Sequence, residues 1–88
     1  MGNPQTQHTA EEIDLHGLTV DEAIPRLDDF LYKAYRAGER RVWVVHGKGS
    51  GMLRQEMRRH LAKHSLVRSY AEADSRRGGA GATLVELA

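Results

Sequence analysis

Apolar positions in this chain follow two periods. From Val20 to Tyr35 they recur at helical spacing, as Val20, Ala23, Ile24, Leu27, Phe30, Leu31, Ala34 and Tyr35, which gathers them on one face of a helix. Thr19 with Glu22 has the spacing of a capping box, and Gly38 suits a C-terminal cap, so the pattern predicts a first helix from about Val20 to Ala37. Pro25 conflicts with it, because a proline beyond the first turn removes a hydrogen bond and crowds the preceding turn; a kink or a later start is expected. A second helix, from about Met52 to His64, buries Leu53, Met57 and Leu61 and leaves Arg54, Arg58, Arg59 and Lys63 toward solvent or a polyanion.

The other period is two. Ile13 to Leu18 alternates, placing Ile13 and Leu15 on one face of a strand and Asp14 and His16 on the other. Val42 to Val45 is an unbroken run of β-branched and aromatic residues, the mark of a strand buried on both faces, within a second strand from about Arg41 to His46. A third strand covers Leu66 to Ala73, with Val67 and Tyr70. After Arg76–Gly81, read as a flexible basic turn, Thr83 to Leu87 returns as a fourth. Trp43 and Tyr70 lie inside strands, so core burial is expected of them rather than stacking on nucleic-acid bases. The order β-α-β-α-β-β predicts an α/β fold, a two-layer α/β sandwich whose mixed four-stranded sheet carries both helices on one face. Strands joined through a helix run parallel and the last two antiparallel.

Length and composition narrow this further. Eighty-eight residues make one domain; residues 1–12 are polar and aperiodic, a disordered lead-in or linker remnant, and residues 13–88 form the folded unit. Without cysteine there is no disulfide framework and no thiolate metal site. No run approaches the roughly 18 apolar residues of a membrane span, and no signal-peptide pattern occurs, so a soluble, cytoplasmic protein is expected. The net charge of +1 conceals an asymmetry: residues 1–39 hold 3 Lys/Arg against 8 Asp/Glu, residues 40–77 hold 10 against 3. The basic part begins beside a glycine-rich loop, and a field of that sign attracts phosphate backbones.

That loop, His46-Gly47-Lys48-Gly49-Ser50-Gly51, leads from a strand into a helix. The first amides of the helix lack intrahelical acceptors and favour an anion, and Lys48 adds a full charge. The loop is neither a P-loop nor a dinucleotide fingerprint, since Met52 stands where the latter needs glycine. Lys48 excludes a nucleophile elbow around Ser50, which is expected to cap the helix instead. Leu15-His16-Gly17 and Val45-His46-Gly47 both end strands predicted to be parallel, so both emerge on one sheet edge, where open α/β folds place ligands. There Asp14 can orient His16 as general base or acid, can hold a divalent cation, or can simply bond backbone at the strand end. His60 and His64, at i and i+4, lack both the acidic residue of a zinc protease motif and an evident third ligand; a packing or surface role is expected.

Three segments together resemble the Small MutS-Related (Smr) domain: Ile13-Asp14-Leu15-His16-Gly17, His46-Gly47-Lys48-Gly49, and Gly78-Gly79-Ala80-Gly81-Ala82-Thr83. The resemblance spans about Ile13 to Leu87 and is closest to the C-terminal Smr domains of bacterial MutS-like proteins linked to suppression of recombination. It implies nucleic-acid binding and endonuclease activity that nicks branched or duplex DNA or cleaves RNA. It assigns Asp14 and His16 to cleavage and the loop to nucleic-acid binding. With the basic residues this gives a binding set of His46, Gly47, Lys48, Gly49, Ser50, Gly51, Arg54, Arg58, Arg76 and Arg77. Metal use varies in the family, so no cofactor is assigned, and both a metal-free reaction and one assisted by magnesium or manganese stay open. DNA or RNA, and the ribosome, are the expected partners, in a larger MutS-like polypeptide that dimerises elsewhere. The competing expectation is a docking module that binds nucleic acid or ribosome without cutting.

Overall fold

The computed structural model describes residues 11–88. Residues 1–10 of the expected lead-in lie outside them; its last two do not form a disordered segment, since the Glu11 carbonyl accepts from the Trp43 amide at 2.8 Å and Glu12 already lies in a strand. The elements are β1 (Glu12–Asp14), α1 (Val20–Arg36), β2 (Arg41–Val45), α2 (Met52–Ala62), β3 (Val67–Glu72) and β4 (Ala82–Leu87), with two 3-10 turns, Ser75–Arg77 and Gly79–Gly81, before β4. The four strands form one sheet in the order β1-β2-β4-β3. β1 lies parallel to β2, and β4 is antiparallel to both β2 and β3.

Helix α1 starts at Val20, not later. Thr19 Oγ1 accepts from the Glu22 amide, and the Glu22 carboxylate accepts from the Thr19 amide; these bonds hold the Glu22 carboxyl below its usual range. The helix runs unbroken through Pro25, which is exposed, so solvent can serve the backbone carbonyl that the proline leaves without a donor. At its far end Gly38, at φ 84°, sends its amide to the Tyr35 carbonyl while Glu39 reaches that of Ala34, the double bond of a Schellman cap. α2 is shorter than expected. Its N-cap is Gly51, in the left-handed region at φ 83°, and Ser50 only lends Oγ to the Met52 amide at 3.3 Å. A chain turning into the helix at positive φ selects glycine at the cap position.

The core lies between the helices and one face of the sheet. Leu15, Leu27, Leu31, Val42, Val44, Met57, Leu61 and Val85 are fully or almost fully buried there. Trp43, between the buried valines, and Val45, after them, are only half-buried. The continuous apolar run of β2 therefore does not signal burial on both faces, because two layers leave the second face without helices. Tyr70 is 37% exposed on the edge strand β3, so core burial fails for it too.

Candidate functional site

β1 is three residues long because its own side chain ends it. Asp14 Oδ1 accepts the His16 amide at 3.0 Å, an Asx-type turn that diverts the chain from the ladder, and Gly17 follows at φ 80°. Before the turn, the Leu15 amide donates to the Val45 carbonyl at 2.7 Å, which ties the first strand end to the second. The parallel pairing thus brings both His-Gly segments to one edge. A Cβ built on Gly47 would lie 3.4 Å from His16 Cβ.

The third glycine segment closes on the same place. The Gly81 carbonyl accepts from both the His46 and Gly47 amides, at 3.0 and 2.9 Å. Here a side chain would be crowded: a Cβ on Gly81 would stand 3.1 Å from Lys48 Cγ, which would have to shift, and 3.5 Å from the Gly47 carbonyl carbon. Arg54 Nη1 reaches the Ala80 carbonyl at 3.4 Å, fastening α2 to this turn.

Asp14 and His16 form a pair, with Nδ1 and Oδ1 2.6 Å apart. The carboxylate is 22% exposed and the imidazole 65%. Because Nδ1 faces a carboxylate that also accepts the His16 amide, the ring is held at one nitrogen, and Nε2 is the one available to a substrate.

His46 is placed in the opposite way. It is 4% exposed. Its Nδ1 lies 3.1 Å from the Gly47 carbonyl, which can only accept, so Nδ1 carries the proton; Nε2 then accepts from the Thr83 hydroxyl at 2.8 Å. Thr83 Oγ1 in turn accepts from Arg58 Nε at 3.3 Å. Burial, above all, lowers the His46 pKa; the bond to Gly47 opposes this, and the charges of Arg58 and Arg54 add to it. The ring is a neutral strut under the loop.

Arg58 does not face solvent as its place on the helix suggested. It is half-buried, and its Nη2 is buried with no partner among the described residues. Lys48, Gly49 and Ser50 are exposed. Arg76 is exposed, and Arg77 lies over Trp43 with its guanidinium carbon 3.7 Å from the ring centroid. The Arg76–Gly81 segment is not a loose turn: Asp74 Oδ1 accepts both the Arg76 and Arg77 amides. Sequence reasoning missed Thr83 and Asp74; the signal for Thr83 was present in the third glycine segment, which ends on it.

A shallow cleft of about 160 Å³ runs along this edge, lined among others by Gly17, His46, Gly49, Leu53 and Arg54. A larger hollow of about 350 Å³ lies between Tyr35, Arg40, Arg68 and Leu87. None of its lining residues belongs to the three glycine segments, so size does not mark the site here. Among the described residues no three His, Asp or Glu side chains are grouped to hold a metal ion. At the edge the donor set is one carboxylate whose Oδ1 already serves His16 twice. No helix among the described residues is long and apolar enough to cross a membrane.

Comparison with known proteins agrees with this arrangement. A model of the Smr domain family matches residues 13–88. The chain is 42% identical over 84 residues to endonuclease MutS2 of Pelotomaculum thermopropionicum, covering 96% of this chain and 11% of that protein. It is 51% identical over 76 residues to endonuclease MutS2 of Thermomicrobium roseum, covering 86% and 10%. The chain thus spans about a tenth of these relatives. Among solved structures, the Smr domain of Thermus thermophilus MutS2 superposes with a TM-score of 0.86 at 42% identity, covering 89% of this chain and 98% of that one. YdaL, a stand-alone small MutS-related protein of Escherichia coli, does so at 0.85 and 28%, covering 91% and 66%.

Proposed function

The chain belongs to the Smr domain family, and from that premise we propose that it is a nucleic-acid-binding endonuclease module in which His16 moves the proton and Asp14 positions it. The observation that carries this is the Asp14–His16 pair, 2.6 Å apart with the imidazole largely exposed, set against Gly47 at the edge where Lys48 and the start of α2 favour an anion.

In this reading a phosphodiester lies along the glycine loop, its charge met by Lys48 and the helix N-terminus. His16 Nε2 takes the proton of the attacking hydroxyl, from water or from the 2′-hydroxyl of RNA. The new oxygen–phosphorus bond forms as the bond to the leaving oxygen breaks, and that oxygen takes a proton from the imidazolium or from solvent. Asp14 accepts from Nδ1 and stabilises the charged ring. The substrate is DNA, nicked as duplex or at branches, or RNA, and the chain acts as the nuclease module of a larger MutS-like polypeptide. Asp14 is the residue that would hold a divalent cation here, together with substrate phosphate and water, and such an ion would polarise the phosphate; no step above is routed through it.

The test is cleavage of supercoiled plasmid and of labelled structured RNA by the chain and by His16→Ala, with magnesium, with manganese and with chelator. Products that vanish in His16→Ala support the reading. Equal cutting by both overturns the role of His16, and binding without cutting by a folded parent chain overturns the nuclease in favour of a docking module.

A further inference from the structure

The sheet face turned away from the helices carries a second constellation. Strand register sets Glu12 beside Trp43, Asp14 beside Val45, and Trp43 beside Leu84. Trp43, the only tryptophan of the chain, neither belongs to the hydrophobic core nor packs against it. Among the described residues no α-helix covers it. Over its ring lies Arg77, delivered by the turn that Asp74 holds, with its guanidinium carbon 3.7 Å from the ring centroid. The Arg77 side chain stays 42% exposed, and its ion pair with Glu11 is long, at 3.9 Å.

Position gives this pair its meaning. Trp43 and Val45, the register partner of Asp14, share a face two residues apart, which is about 7 Å along a strand. An aromatic ring and a guanidinium thus stand within a nucleotide's reach of the Asp14–His16 pair. Both groups stack on nucleic-acid bases, and such stacking tolerates any base because every base has a π face. In a duplex those faces are already stacked, so only an unpaired nucleotide can use the platform. The charges on this face point the same way: Glu11, Glu12 and Asp14 lie on it or at its margin, which disfavours phosphate and leaves the backbone to the Lys48 side.

We propose that Trp43 and Arg77 form a stacking platform for an unpaired base next to the phosphodiester presented to His16, so that the domain binds single-stranded nucleic acid in preference to duplex. This rests on the motif edge being the nucleic-acid site.

Trp43 reports on its own occupancy. The 88-residue chain is titrated with fluorescein-labelled oligothymidylate and with a duplex of equal length, binding being read from label anisotropy and contact from tryptophan emission. The expected result is tighter binding of the single strand, with quenching of Trp43. Trp43→Leu should weaken single-strand binding about 5- to 150-fold, the range of base–aromatic stacking, and leave duplex binding within about twofold; Arg77→Ala, which also removes a charge, should weaken binding of both forms, and of the single strand more. Binding that leaves Trp43 emission unchanged overturns the platform but not the edge. So does single-strand binding by Arg77→Ala as tight as the parent's. Failure to bind either form overturns both. Should Trp43→Leu not fold, parental quenching and the exposed Arg77→Ala substitution decide alone.

Discussion

Two aspartate–histidine contacts in this fold have nearly the same length and opposite uses. Asp14 and His16 meet at 2.6 Å, Asp28 and His60 at 2.7 Å. At the sheet edge one imidazole nitrogen is held and the other is open, on a ring 65% exposed. Between the helices His60 of α2 and His64, just past its end, converge on one carboxylate of α1: His60 Nε2 at 2.7 Å and His64 Nε2 at 3.3 Å from Asp28 Oδ1, with the side chains 28% and 16% exposed. His64 Nδ1 also accepts the Leu66 amide at 3.1 Å, so its proton sits on Nε2 and that nitrogen has no lone pair for a metal. The pair spacing that suggests chemistry is therefore common to both regions. Exposure separates a site from a clamp: the His16 side chain is 65% exposed, those of His60 and His64 only 28% and 16%.

The largest expected effect breaks the comparison at the edge. His16→Ala should lower cleavage about 10²- to 10⁴-fold, the usual worth of acid–base catalysis, while the unfolding midpoint stays within about 0.5 kcal/mol of the parent because the ring is exposed; rates and urea melts measured side by side check this. Thr83→Val strikes the buried strut instead. It leaves His46 Nε2 without its donor and should cost about 1–3 kcal/mol, read in the same melts, with Thr83→Ser restoring most of it. Asp28→Asn weakens the helix clamp at a half-exposed position and should cost about 1 kcal/mol, or roughly 4–8 °C in Tm, with cleavage per folded molecule unchanged. If Asp28→Asn lowered cleavage as His16→Ala does, the division between the regions would be wrong.

The smallest effect is a pH slope. The pKa of His46 lies below the ordinary 6.5, so under acidic conditions the unfolded chain binds a proton there that the folded chain does not. Stability from this group is complete above about pH 6.5, falls as pH drops through that value, and levels off below the folded-state pKa. Unfolding midpoints between about pH 7.5 and 5 should slope less in His46→Gln than in the parent.

What the residues disclosed in order follows from what acts locally. Helical spacing, the Thr19–Glu22 box and Gly38 describe α1 almost to its ends because propensity, capping and amphipathicity agree there. The His-Gly repeats placed both segments on one edge because parallel pairing through a helix allows little else. Tertiary relations stayed hidden. Nothing near Arg58 in sequence shows that Thr83 will draw it inward, and a valine–tryptophan–valine run reads alike whether one face of a strand is covered or two. Ser50 and Gly51 exchanged roles for a reason of backbone sign, which residue preference alone does not give.

The most direct test of the edge is a double-variant cycle: cleavage rates of the parent chain, His16→Ala, Asp14→Asn and the two combined, on one substrate and in one buffer. Since Asp14 acts through His16, the double variant should cut no more slowly than His16→Ala alone. Independent losses that multiply in the double variant would contradict the account and give Asp14 a role of its own.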